Sequence, residues 1–199
     1  MLDNKDLETI KRNIEKLTKE EKILLDKKNR GKFTSFFLEN SRKSFDSAKV
    51  LMEISSNPKL KESLGYPGFD GYLWVINSSY YSMFYMVKAL LENNGIKLKT
   101  DSSTQSIHQI TFQTLVYFFY MNKKLERRLI EDFQEASQES GEILGKEKAK
   151  KLIEEYESEK EKRGRFTYEL GQTAMQNKAK TSLERARFFN QEIKKILEL

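Results

Sequence analysis

The residues of this 199-residue chain best equipped for chemistry stand together in Glu161-Lys162-Arg163-Gly164-Arg165-Phe166-Thr167-Tyr168-Glu169-Leu170-Gly171. Arg163 and Arg165 present planar guanidinium groups that can clamp a phosphate through paired hydrogen bonds. The Tyr168 phenol can donate to a reacting hydroxyl, or accept from it once deprotonated. With an ordinary phenol value near 10 it is an acid sooner than a base at neutral pH, and cationic neighbours such as Arg163 and Arg165 lower that value. Gly164 and Gly171 bracket the segment and let the backbone turn or a ligand come close. The same residues also suit a structural clamp onto a neighbouring acidic helix, and residue type alone leaves both readings open.

Other chemistries are limited by what the sequence lacks. With no cysteine, there is no thiol nucleophile, disulfide, iron–sulfur ligand or Cys-based zinc site. One histidine, His108, cannot build a multi-histidine metal centre, and no acidic loop carries the spacing of a calcium hand. No metal and no cofactor is expected, and His108 itself reads as a surface or helix-start residue. Lys146, Lys148, Lys150 and Lys151 form a basic cluster, but Glu147, Glu154 and Glu155 interleave with it, which describes a solvated helix better than an RNA track. Thirty-six Lys and Arg against 30 Asp and Glu leave a formal charge of +6, which favours an anionic partner such as RNA and is also common in plain soluble proteins. The longest wholly apolar run, Leu115 to Met121, falls far short of the roughly 20 residues that span a bilayer. Met1 to Lys22 mixes acids and bases with no uninterrupted apolar core, unlike a secretory signal. A cytoplasmic protein with no membrane partner is expected.

The elements that must position these groups read as helices. Leu7, Ile10, Ile14, Leu17 and Leu24 follow a three–four spacing on a charged background, an amphipathic helix or helical hairpin; Thr18 with Glu21 suggests a capping box that starts a second piece. A helix from about Phe33 to Ser56 turns Phe33, Phe36, Phe37, Phe45, Ala48, Leu51 and Met52 inward. From Gly71 to Asn94 apolar residues, Trp74 among them, surround the helix almost completely, as a central helix requires. On that helix Asn77 and Ser78 need partners if buried. Asn94-Gly95 terminates it. The aromatic run Tyr117-Phe118-Phe119-Tyr120 closes a helix from Ile107 and must be covered by a neighbour or a partner. Lys123 to Glu161 is a long charged helical stretch, expected to break or kink near Gly141 and Gly145, and a final helix spans about Thr173 to Leu197. No strand signal stands out. The fold class is all-α, an up-and-down helical bundle with an additional N-terminal helix or hairpin.

Trp74 to Leu91, with Tyr80-Tyr81, Ser82 and Met83-Phe84, followed by Gly95-Ile96 and Lys99-Thr100, resembles the signature helix of the small prokaryotic members of the HEPN superfamily (higher eukaryotes and prokaryotes nucleotide-binding domain). Arg163, four residues and Tyr168 resemble the branch of the family whose motif is Arg-x4-Tyr in place of Arg-x4-6-His. Phe188-Phe189 and the spaced alanines of the last helix are similar to the closing helix. The resemblance divides the chain into an N-terminal helical extension, residues 1–30, and a HEPN-like bundle, 31–199, with a long charged helical insertion at about 132–162.

That resemblance implies a toxin-like RNA- or nucleotide-binding protein, and a metal-independent endoribonuclease of a toxin–antitoxin pair. In such a site Arg163 and Tyr168 are the catalytic residues, Arg163 and Arg165 hold phosphate or RNA, and Asn77, Tyr80 and Tyr81 line the cleft. It further implies a homodimer and, as antitoxin, a minimal nucleotidyltransferase that transfers AMP to Tyr168 or Tyr156. The alternative is a non-catalytic nucleotide-binding or protein-interaction module, and a pure assembly scaffold is a third reading.

Overall fold

The computed structural model describes residues 2–99, 106–154 and 165–197, with side chains described up to residue 145 and again from 173. Helix α1 (Asn4–Lys19) starts at a reciprocal cap: Asp6 N–H donates to Asp3 Oδ1 at 2.8 Å and Asp3 N–H to Asp6 Oδ2 at 3.0 Å. Its Ile10, Ile14 and Leu17 are buried in the main core. The capping box expected at Thr18 and Glu21 does not form. Thr18 Oγ1 instead donates back to Ile14 O at 2.8 Å, and Glu21, at φ 55°, ends the helix in the left-handed region. The chain then enters strand β1 (Ile23–Leu25), which pairs antiparallel with β2 (Ile96–Leu98) so that Ile23 faces Leu98 and Leu25 faces Ile96. This small ladder corrects the expectation of no strands and leaves the all-α class intact.

The bundle proper consists of α2 (Thr34–Ser56), α4 (Tyr72–Asn93), α6 (Arg127–Glu154) and α7 (Arg165–Leu197), with the short α3 (Pro58–Ser63) after α2 and α5 (Ile107–Leu115) beside α4. A π-helical turn, Val116–Tyr120, follows α5. It buries Phe119 and packs Tyr117, Phe118 and Tyr120 part-buried against the core, so most of the aromatic run is covered within the chain. Helix α4 is central as its composition requires, with α2, α6 and α7 all packed on it. Contacts fix the directions. Ser41 meets Ser82 and Ser55 meets Tyr72, so α2 and α4 are antiparallel; Asn77 meets Ser140 and Tyr80 meets Ser137, so α4 and α6 are too.

Helices α4 and α7 run parallel and close together because α7 offers small residues, Ala179, Ser182 and Ala186, along its buried face. At the crossing, Ser41 Oγ donates to Ser82 O (2.8 Å), Ser82 Oγ to Ser41 O (2.9 Å) and Asn190 Nδ2 to Ser82 Oγ (2.6 Å). This buried node ties three helices in one register, since a slip would strand its polar groups without water. Phe133 lies in the centre, stacked between Tyr80 (6.0 Å) and Phe189 (5.6 Å).

Four sequence expectations are corrected. Phe33 and Phe36 do not turn inward but stand 48% and 59% exposed at the start of α2. Trp74 is the half-exposed residue of the central helix. Helix α6 runs unbroken through Gly141 and Gly145, both of which face open space, so the poor helix propensity of glycine is outweighed by the packing of Phe133, Ala136 and Ile143. Gly171 lies inside α7, which begins eight residues earlier than its apolar pattern suggests.

Candidate functional site

The contact of α4 with α5 and α6 gathers most of the described polar chemistry. Residue 106 is the cap of α5, with Ser106 Oγ accepting from His108 N–H at 3.3 Å, and this places His108 in the first turn facing α4. The imidazole lies against Phe84 (4.6 Å between ring centres), Tyr80 and Tyr81. Its Nδ1 is 2.7 Å from the Tyr80 hydroxyl. From the other side Ser137 Oγ donates to the same hydroxyl at 3.3 Å, which leaves the phenol its own proton to give to Nδ1. With the phenol as donor the imidazole accepts at Nδ1 and keeps its proton on Nε2.

Electrostatics hold this state. Burial pushes the Tyr80 phenol up to about 12, with the Ser137 hydrogen bond pulling modestly the other way, so it is a committed donor. Burial also lowers the His108 imidazole below its ordinary 6.5, and no carboxylate among the described residues pairs with it. A neutral imidazole in a fixed tautomer, offering one N–H, can donate to an oxygen; with its phenol protonated, the pair makes a poor base.

One turn along, Ser140 Oγ donates to Asn77 Oδ1 at 2.6 Å, while Asn77 Nδ2 is buried without a partner in the structure. On the far side of α6, Arg185 of α7 bonds Glu139 (2.8 Å) and Glu135 (3.0 Å), and Ser182 bonds Glu139 at 3.2 Å. Burial raises the Asp132 carboxyl against the pull of Arg185 and Arg128. No group of three metal-ligating side chains occurs among the described residues, and no described helix is long and apolar enough to cross a membrane.

The residues singled out from sequence fall into two sets. Asn77, Tyr80 and Tyr81 share α4 and meet α5 and α6 as described. Arg165 and Tyr168 lie on the first turn of α7, a helix rather than the inter-helix loop expected, and their side chains are outside the described residues. Arg163 and Tyr156 lie outside the described residues altogether, as do Lys150 and its neighbours in side chain. Along α7 the backbone at Tyr168 precedes Ser182 by about 21 Å of helix rise. His108 was the residue undervalued by sequence reasoning. It shares a helical face with buried Thr111 and Leu115, three and seven positions on, and that spacing was the available signal of an inward ring.

Compared with known proteins, the chain matches no protein-family model, no curated protein and no solved structure.

Proposed function

We propose that the chain is a HEPN-type bundle acting as a toxin-like RNA- or nucleotide-binding protein, and as a metal-independent endoribonuclease. The observation that carries this reading is the place of the tyrosine-pair helix at the centre of an all-α bundle whose last helix opens on Arg165 and Tyr168. In it Arg163 and Arg165 bind the phosphate; the ribose 2′-oxygen bonds to phosphorus as the P–O5′ bond breaks, its proton passing to solvent, while Arg163 stabilises the charge at phosphorus and Tyr168 gives its proton to the departing 5′-oxygen and regains one from water. The working unit is a homodimer in the cytoplasm, its antitoxin a minimal nucleotidyltransferase, and Tyr168 or Tyr156 the acceptor of AMP.

A second reading, a nucleotide-binding or interaction module without turnover, is favoured by His108. The only imidazole is engaged by Tyr80, well along the bundle from the start of α7, and so supplies no base to the Arg-x4-Tyr motif. Incubation of single-stranded RNA with wild type and Arg163→Ala in EDTA decides between them. The enzyme reading expects products ending in a cyclic phosphate and a loss of about 100-fold in the variant. Equal activity in both, or none in a folded wild type, removes it, and calorimetric titration with ATP and AMP then separates a nucleotide module from a scaffold.

A further inference from the structure

The segment between β1 and α2 crosses the C-terminal end of α4. Asp26 N–H donates to Gly95 O (2.7 Å), Gly31 N–H to Glu92 O (2.9 Å) and Phe33 N–H to the buried Glu92 carboxylate (3.2 Å). With its backbone pinned, the segment directs Lys27, Lys28, Arg30 and Lys32 into solvent. None of the four has an ion-pair partner among the described residues. The carboxylates closest in the fold are engaged already: Asp26 with Asn29 and with Lys97 at 3.3 Å, and Glu92 with Phe33.

Beside these cations stand Leu25, Phe33 and Phe36, all about half exposed. Arg30 also lines a cavity of about 700 Å³ with Asn93, Asn94, Phe119 and Lys124. An adjoining cavity of about 590 Å³ shares Lys124 and adds Lys123 and Tyr120, with Glu126 its one carboxylate. Cations near the carbonyl end of a helix stabilise its dipole, and one or two serve that purpose. Four exposed cations without a carboxylate partner among the described residues, one of them, Lys32, over the Phe33 ring, with Lys124 across the cavity over the ring of Phe119, exceed it.

We propose that this end of the bundle binds single-stranded nucleic acid. Lys27, Lys28, Arg30 and Lys124 follow the phosphates, Phe33 and Phe36 stack on bases, and the cavity between Arg30 and the Asn93–Asn94 amides takes one nucleotide. The cavity sets the Asn93 and Asn94 side chains beside Phe119, Ile196 and Leu197, a polar edge against an apolar wall as a base requires, and the exposed cations strung along one segment match a phosphate backbone, which favours nucleic acid over an anionic membrane surface. The choice of RNA as ligand rests on the function proposed above; the residues do not, since Arg163, Arg165 and Tyr168 take no part.

The test is fluorescence anisotropy of a labelled oligouridylate with the full chain, as wild type, as Lys27→Ala/Lys28→Ala/Arg30→Ala, as Phe36→Ala and as Arg163→Ala/Arg165→Ala. The triple variant is expected to bind at least about tenfold more weakly at low salt and to flatten the log–log salt dependence by about 2, near 0.7 for each lost phosphate contact. Phe36→Ala is expected to weaken binding about fivefold or more with the salt slope unchanged. Lys27, Lys28, Arg30 and Phe36 are exposed, and thermal unfolding followed by circular dichroism verifies that each variant folds. If the triple variant binds like wild type while Arg163→Ala/Arg165→Ala does not, this inference fails and the function proposed above survives. If wild type binds no RNA at low salt, both fail. Co-sedimentation with phosphatidylserine vesicles that the triple variant loses, with RNA binding intact, would give the surface to lipid headgroups and overturn the inference.

Discussion

Replacing Tyr80 with Phe deletes one oxygen from the middle of the bundle and keeps every ring contact. That oxygen is the shared partner of His108 Nδ1 at 2.7 Å and Ser137 Oγ at 3.3 Å, on a side chain only 4% exposed. Ser137 can turn back to a carbonyl of its own helix and loses little. The half-buried imidazole Nδ1, the acceptor of that bond, has no substitute donor among the described residues, and leaving it unsatisfied costs about 1–2 kcal/mol. For a chain of this length that lowers the melting temperature by about 3–6 °C. Urea unfolding at neutral pH should therefore give a lower midpoint with an unchanged slope. His108→Leu removes the same bond from the other side, so the double variant should be less destabilised than the sum of the singles by about 1 kcal/mol. Tyr80→Phe within about 0.3 kcal/mol of wild type, or strictly additive singles, would refute a working Tyr80–His108 bond.

Two further outcomes follow from the same geometry. The folded imidazole of His108 is held below 6.5 by burial, so between that lowered value and 6.5 the unfolded chain binds more protons than the folded one. Its contribution is complete above pH 6.5 and is lost as pH falls through the folded value; His108→Leu should flatten the decline of stability with acidity in that window, and an unchanged profile would count against the buried neutral ring. Gly95 sits at φ +72°, and an added Cβ would come within 2.6 Å of Asp26 O. Gly95→Ala should cost about 2–3 kcal/mol by thermal unfolding, from left-handed strain plus displacement of the segment pinned there, and a loss under about 0.5 kcal/mol would contradict that packing.

Periodicity made the bundle legible wherever one face is continuously buried. The apolar encirclement of Tyr72 to Leu91 identifies the central helix, and Ala179, Leu183, Ala186, Phe189 and Ile193 identify the face of α7. It failed where local pattern and tertiary contact disagree. Ile23-Leu24-Leu25 looks like a continuation of the preceding helix, and only pairing with residues far along the chain makes it a strand. Phe33 and Phe36 have the spacing of core residues, but the segment before them is pinned across α4 and leaves their side of α2 without a neighbour. Gly141 and Gly145 look like breakers because propensity is local, whereas α6 is held by its packed N-terminal half. Of the candidate site, the α4 residues were readable from their polar or phenolic types on an apolar helix. The role of His108 was not, because a single residue near a helix start shows its direction only through its partners on α4 and α6.

The β1–β2 ladder also bears on the order in which the chain can become structured. Ile23 pairs with Leu98, and between them lie the whole of α2 and α4. Helix α1 is synthesised well before β2 and the aromatic turn at Val116–Tyr120 against which it packs. Until those exist, its Ile10, Ile14 and Leu17 have nothing to cover them, and closing so long a loop carries an entropic cost that only the finished bundle offsets. An element made before its partners is thus fixed only after them, and its apolar stripe is the surface a nascent chain must keep from other chains in the interval.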